Sequence, residues 1–164
     1  TQVEHHLEPA DMMQRIADGL FQATSPEVFA TFYFGLLDVS ARTFVYVNAG
    51  HPFPVLARAS GETIELDGVG LPVGMDPMLW NDEYEARQVA LAPGDALVIF
   101  SDGISEAGAS HEDMFGEERI LDLVATHREL GADRIQKAVC DAVDVFMKGQ
   151  PMDDDLTLVA LSVK

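Results

Sequence analysis

Two acidic turns border two strongly apolar runs. Ser101-Asp102-Gly103 follows Ala96-Leu97-Val98-Ile99-Phe100, and Asp153-Asp154-Asp155 precedes Leu156-Thr157-Leu158-Val159-Ala160-Leu161. Both runs read as buried strands. A carboxylate at the mouth of a buried strand loses hydration unless a cation or a donor meets it. Two of them at neighbouring strand ends would offer hard oxygen ligands to Mg²⁺ or Mn²⁺, ions that keep bound water and can activate it. Aspartate is also common in turns, so spacing alone leaves a metal-binding reading and a plain turn reading both open.

The elements that must position these acids follow from changes in hydrophobic period. From Pro9, suited to a first helical turn, Met12, Met13, Ile16, Leu20 and Phe21 fall at helical spacing and predict an amphipathic helix. Phe29 to Val39 and Thr43 to Val47 predict two strands joined by Asp38-Val39-Ser40-Ala41-Arg42. Val55 to Arg58, Thr63 to Leu66 and Glu83 to Leu91 are further strands, and Pro93-Gly94-Asp95 turns the chain into the run at Ala96. After Gly116 the helical period returns, with Ile120, Leu121 and Val124, then Ile135, Val139, Ala142, Val143 and Phe146. The last strand, Leu156 to Val163, is apolar on both faces and is expected to be covered on both. Strand meanders followed by segregated helices predict a layered α+β fold. If the last strand lies beside the one ending at Phe100, Asp102 and Asp154 converge.

Length and charge exclude whole classes of function. A chain of 164 residues with 48% apolar content has room for a real core. A formal charge of −18 repels nucleic acid and anionic lipid, so neither is an expected partner. Cys140 stands alone and lies on a predicted helix, where a small buried residue would serve. No apolar stretch approaches the roughly 20 residues that span a bilayer, and Thr1-Gln2-Val3-Glu4-His5-His6 lacks signal-peptide character. A soluble, cytoplasmic protein is expected, with Thr1 read as a fragment boundary or a processed start.

Six motifs occur in one order: Asn48-Ala49-Gly50-His51-Pro52, Leu71-Pro72-Val73-Gly74, Pro93-Gly94-Asp95, Ser101-Asp102-Gly103-Ile104-Ser105-Glu106, Phe115-Gly116 and Asp154-Asp155-Leu156-Thr157-Leu158. Together they resemble the stage II sporulation protein E family of bacterial metal-dependent serine/threonine phosphatases, a branch of the protein phosphatase 2C-like superfamily. The resemblance implies an α-β-β-α sandwich of two antiparallel sheets with outer helices. Residues 1–164 would form a single phosphatase-like domain, the C-terminal majority of the family domain. It implies that Asp102 and Asp154 are metal ligands in a two-metal Mn²⁺ or Mg²⁺ site. His51 matches a position near the active site, and a structural loop histidine is the alternative. The implied reaction is in-line attack on a phosphoserine or phosphothreonine by a metal-bound water. The implied substrate is a phosphoprotein, an anti-sigma-factor antagonist of the STAS fold, and a sensory or receiver domain is expected upstream.

The family's N-terminal portion supplies an Asp-x-x-Gly-x-Gly motif whose Asp bridges both metals, and this chain lacks it. Asp38-Val39-Ser40-Ala41-Arg42-Thr43 is rejected as a substitute because alanine and threonine replace the glycines. The chain by itself is therefore expected to bind metal weakly and to hydrolyse little. A non-catalytic module that holds a regulatory partner on a phosphatase-like surface is the competing function. Ser105 is excluded as a hydrolase nucleophile, since Ala107 replaces the second glycine of the elbow motif. His5-His6 is expected to be a solvated terminal pair, and Trp80 to be a packing residue. The acidic stretch Glu106, Glu112, Asp113, Glu117 and Glu118 suits a helix start, and a mobile flap over the substrate, suggested by Gly108-Ala109-Ser110, is the functional alternative.

Overall fold

In chain order the elements are helix α1 (Pro9–Ala23), strands β1 (Phe32–Asp38), β2 (Thr43–Ala49), β3 (Val55–Ala57), β4 (Thr63–Glu65), β5 (Arg87–Ala90) and β6 (Ala96–Phe100), and the one-turn helix α2 (Asp102–Ser105). The short strands β7 (Gly108–Ser110) and β8 (Asp113–Met114), helices α3 (Glu117–His127) and α4 (Ala132–Met147), and strand β9 (Leu158–Ser162) complete the chain. The computed structural model describes residues 8–25, 27–79, 83–110, 113–151 and 154–164. The fold class is α+β with two main antiparallel sheets and helices, as expected. Among the described residues no helix is long and apolar enough to cross a membrane.

The chain divides into two compact units, the first made of Thr1–His51 and Asp67–Ala90, the second of Pro52–Leu66 and Leu91–Lys164. In the first, β1, β2 and β5 form an antiparallel sheet in that order, with Phe32 opposite Ala49 and Val45 opposite Gln88. Proline near the start of α1 fits its fixed φ and missing N–H. The apolar stripe of α1 buries Met13 and Ala17 against Val47, Ala49, Val73 and Tyr84. Only Arg87–Ala90 of the expected strand from Glu83 pairs.

In the second unit the sheet order is β4-β3-β6-β9, all antiparallel. Alternation sends Ala96, Val98 and Phe100 toward a core built with Ile120 and Val124 of α3 and Ile135, Val139 and Val143 of α4. Leu56 and Leu97, on the other face, are buried as well. The last strand departs from expectation. β9 is the end strand of the sheet, and while Leu158 and Ala160 pack on the helix-covered core, Val159 points the other way and stays 55% exposed. Cys140 is also exposed, because it lies off the apolar stripe of α4. Gly108–Ser110, for which a flap is the alternative reading, forms β7 and pairs antiparallel with β8.

At the start of β6 the Pro93-Gly94-Asp95 turn is locked by a buried carboxylate. Asp95 accepts from the amides of Ala92 and Ala59, both 2.9 Å, and pairs with Arg58 at 2.8 Å. Burial alone would raise its pKa, but the two amides and Arg58 outweigh that and hold it below the usual range. Asp95→Asn should lower stability by about 1–3 kcal/mol at pH 7, read by urea unfolding. A depressed folded-state pKa stabilises fully above the unfolded value of about 4 and fades as pH falls through the folded one. The gap between parent and Asp95→Asn should therefore narrow by about pH 3.

Candidate functional site

The site is built at the opposite end of β6. β6 and β9 pair from Ala96–Ser162 to Phe100–Leu158, so the residues just after Phe100 and just before Leu158 leave the sheet at one end. Ser101 remains extended, at φ −78° and ψ 159°, and Asp102 opens α2. Opposite them runs the segment 154–157. Ser101 spans the junction: its amide donates to the Thr157 carbonyl at 3.0 Å. Its Oγ accepts from the Thr157 amide at 3.1 Å and donates to the Asp155 carbonyl at 3.2 Å.

Gly103 explains why the two segments come so close. A Cβ there would lie 2.5 Å from the Asp155 carbonyl oxygen and 3.5 Å from the Asp154 Cβ. This glycine is required by close backbone approach, where the sequence alone indicated a turn. Asp154 is thus brought beside the turn that carries Asp102, as the strand pairing demanded. Each carboxylate is partly anchored: Asp102 Oδ1 accepts from the Gly103 amide at 2.9 Å, and Asp154 Oδ1 from the Asp155 amide at 2.7 Å. Among the described residues the second oxygen of each accepts no hydrogen bond. That is a donor set of hard oxygens suited to Mg²⁺ or Mn²⁺. It is also a partial one, since among the described residues no three His, Cys, Asp or Glu side chains gather to hold an ion.

His51 lies in the first unit, at the end of β2. The buried Asn48 side chain clamps its backbone, accepting from the His51 amide and donating to the His51 carbonyl, both at 2.8 Å. Gly50 between them adopts φ +75°, and a Cβ there would collide with the Pro72 ring. The imidazole lies 5.9 Å from the Tyr33 ring. Tyr33 has a buried hydroxyl without a partner among the described residues, and burial, then Tyr46, pushes its pKa far above the usual range. Asn48 escaped sequence reasoning, although its place at the head of the motif was a usable signal.

The remaining candidates separate cleanly. Asp38 belongs to the β1–β2 turn, where its Oδ1 accepts from Ser40 Oγ at 2.6 Å and from the Ala41 amide at 2.8 Å. Those bonds make it a turn acid and hold its carboxyl below the usual range. Ser105 ends α2 and donates to the Asp102 carbonyl at 3.2 Å. Glu117 and Glu118 occupy the first turn of α3. The His5-His6 pair, Trp80 and Asp153 lie outside the described residues.

Comparison with known proteins gives consistent results. The sequence profile of the family described as Stage II sporulation protein E (SpoIIE) matches residues 1–164. Protein IcfG of Synechocystis sp. is 27% identical over 137 residues, 82% of this chain and 20% of that protein. Phosphoserine phosphatase RsbU of Bacillus subtilis is 25% identical over 165 residues, 98% of this chain and 47% of that protein. The chain thus spans less than half of either relative. The structure of the PP2C phosphatase domain with a fragment of the regulatory domain of SpoIIE, from Bacillus subtilis, matches with a TM-score of 0.76 at 19% identity. That match covers 98% of this chain and 46% of the other, and shows the shared fold.

The tight approach at Gly103 is directly testable. Gly103→Ala must push back the Asp155 backbone and should destabilise by about 1–3 kcal/mol. Gly19→Ala, inside α1 with nothing within 4 Å of the new Cβ, should stabilise by about 0.5–1 kcal/mol. Thermal unfolding of the two variants checks both signs.

Proposed function

The chain belongs to the stage II sporulation protein E family, and from that membership we propose that it is part of a metal-dependent protein serine/threonine phosphatase. Its substrate is a phosphoserine or phosphothreonine on a regulatory protein, of the STAS-type anti-sigma-factor antagonist class. The observation that carries this reading is the placement of Asp154 beside the Asp102 turn by the pairing of β6 with β9. The relative RsbU, named a phosphoserine phosphatase, supports the same reaction class.

Asp102 and Asp154 would hold the ion, each through a carboxylate whose orientation is fixed by one bond to the following amide. Bound there, Mn²⁺ or Mg²⁺ supplies charge neutralisation for the phosphoryl group and a water of lowered pKa. Two carboxylates do not complete a coordination shell, so other positions fall to water and to ligands beyond the described residues. The chain carries a formal charge of −18, so a bound cation that reverses the local sign would favour the approach of a phosphate group. His51 is the third proposed site residue, on the family resemblance of its motif, with its backbone held by Asn48. An upstream sensory or receiver domain and a cytoplasmic setting complete the proposal.

A second reading, a non-catalytic module that binds a regulatory partner, is favoured by one observation: the described residues alone assemble no three-residue metal cluster. The two readings part on a simple experiment. In the intact protein with Mn²⁺, Asp102→Asn and Asp154→Asn should each slow phosphate release from a phosphoserine protein by at least about a hundredfold. Undiminished turnover in both variants would overturn the phosphatase site. No turnover in the parent, with partner binding unchanged by chelator, would establish the binding module instead.

A further inference from the structure

Asp154 stands on a segment, 154–157, that is largely exposed and precedes β9. Of its residues only Leu156 packs against the core, while Asp154, Asp155 and Thr157 are exposed, so packing alone does not hold Asp154 in place. Ser101 does so through the bonds already described. Its hydroxyl has one proton and two lone pairs, which suffices for accepting from the Thr157 amide and donating to the Asp155 carbonyl together. On the other side Gly103 sets how near the segment can come. We infer that Ser101 is a positioning residue that sets the place of Asp154 relative to Asp102, and through it the affinity of the pair for a divalent ion. The inference rests on the reading that Asp102 and Asp154 hold that ion.

The chemistry of the side chain makes this specific. Alanine retains the backbone bond to Thr157 and removes both hydroxyl bonds to the Asp154 segment. Threonine retains an oxygen in the same place and should preserve both. A loss confined to folding would leave the ion affinity of the folded protein unchanged. A loss of positioning weakens the ion and is offset by raising its concentration.

The test uses the intact protein, with Mn²⁺ alone titrated and free Mn²⁺ followed by electron paramagnetic resonance. Hydrolysis of para-nitrophenyl phosphate is measured over the same range of Mn²⁺. Ser101→Ala should weaken Mn²⁺ binding by about tenfold or more, the usual effect of removing support behind a metal ligand. Excess Mn²⁺ should restore most of kcat, and Ser101→Thr should bind much as the parent does. Should the alanine variant not fold, Ser101→Cys gives the same comparison, because a thiol is a poor substitute for the hydroxyl in both bonds. Unchanged Mn²⁺ affinity in Ser101→Ala or Ser101→Cys, with Asp154→Asn deficient, would overturn the positioning role alone. Parent-like Mn²⁺ binding in Asp154→Asn would overturn the metal site itself.

Discussion

The antiparallel pairing of β6 with β9 is the constraint on which the candidate site depends. These strands lie 58 residues apart by their Phe100–Leu158 partnership, yet that partnership delivers two acidic turns to one end of a sheet. The ladder is held by more than its own hydrogen bonds. Phe100, Val98 and Ala96 anchor β6 in a core shared with α3 and α4, while Leu158 and Ala160 bring the inner face of β9 to the same core. Slipping the register by one residue would turn Leu158 and Ala160 outward and Val159 inward, so core packing resists it. The position of Asp154 is therefore secured at a distance by hydrophobic burial and locally by polar contacts.

The two ends of β6 show how one residue type serves opposite purposes. Asp95, almost fully buried, is satisfied by two amides and a guanidinium, and so closes a turn and has little capacity left. Asp102, at the other end, receives one amide and keeps an oxygen without a partner among the described residues. A carboxylate saturated with donors stabilises the fold, and one left half-satisfied keeps an oxygen for a further donor or a cation. Counting donors, rather than noting the acid, distinguishes the two.

The first unit follows the same logic in its turns. Asp38 and Asn48 flank successive ends of the β1–β2 hairpin, and each bonds backbone groups close to it in sequence. Asp38 shapes a two-strand turn on the surface. Asn48 is buried and secures both backbone groups of His51, which fixes the path of the chain just after β2.

Much was legible from the residues alone, because local chemistry wrote it. The strand at Ala96–Phe100 matched its apolar run, α1 began at its proline, and Asp102 and Asp154 were marked as acids closing apolar segments. The ordered motifs carried the family. What stayed hidden depends on neighbours remote in the chain. That β9 ends its sheet and exposes Val159, that Cys140 faces outward, and that Asp102 opens a helical turn are decided by what each element packs against. Gly103 looked like a turn glycine, and only the nearby Asp155 carbonyl reveals it as a contact glycine. Sequence determined which groups could do chemistry, because that is a property of each residue. Tertiary structure decided which of them meet, because strand pairing and close approach are relations between segments that no single stretch of sequence contains.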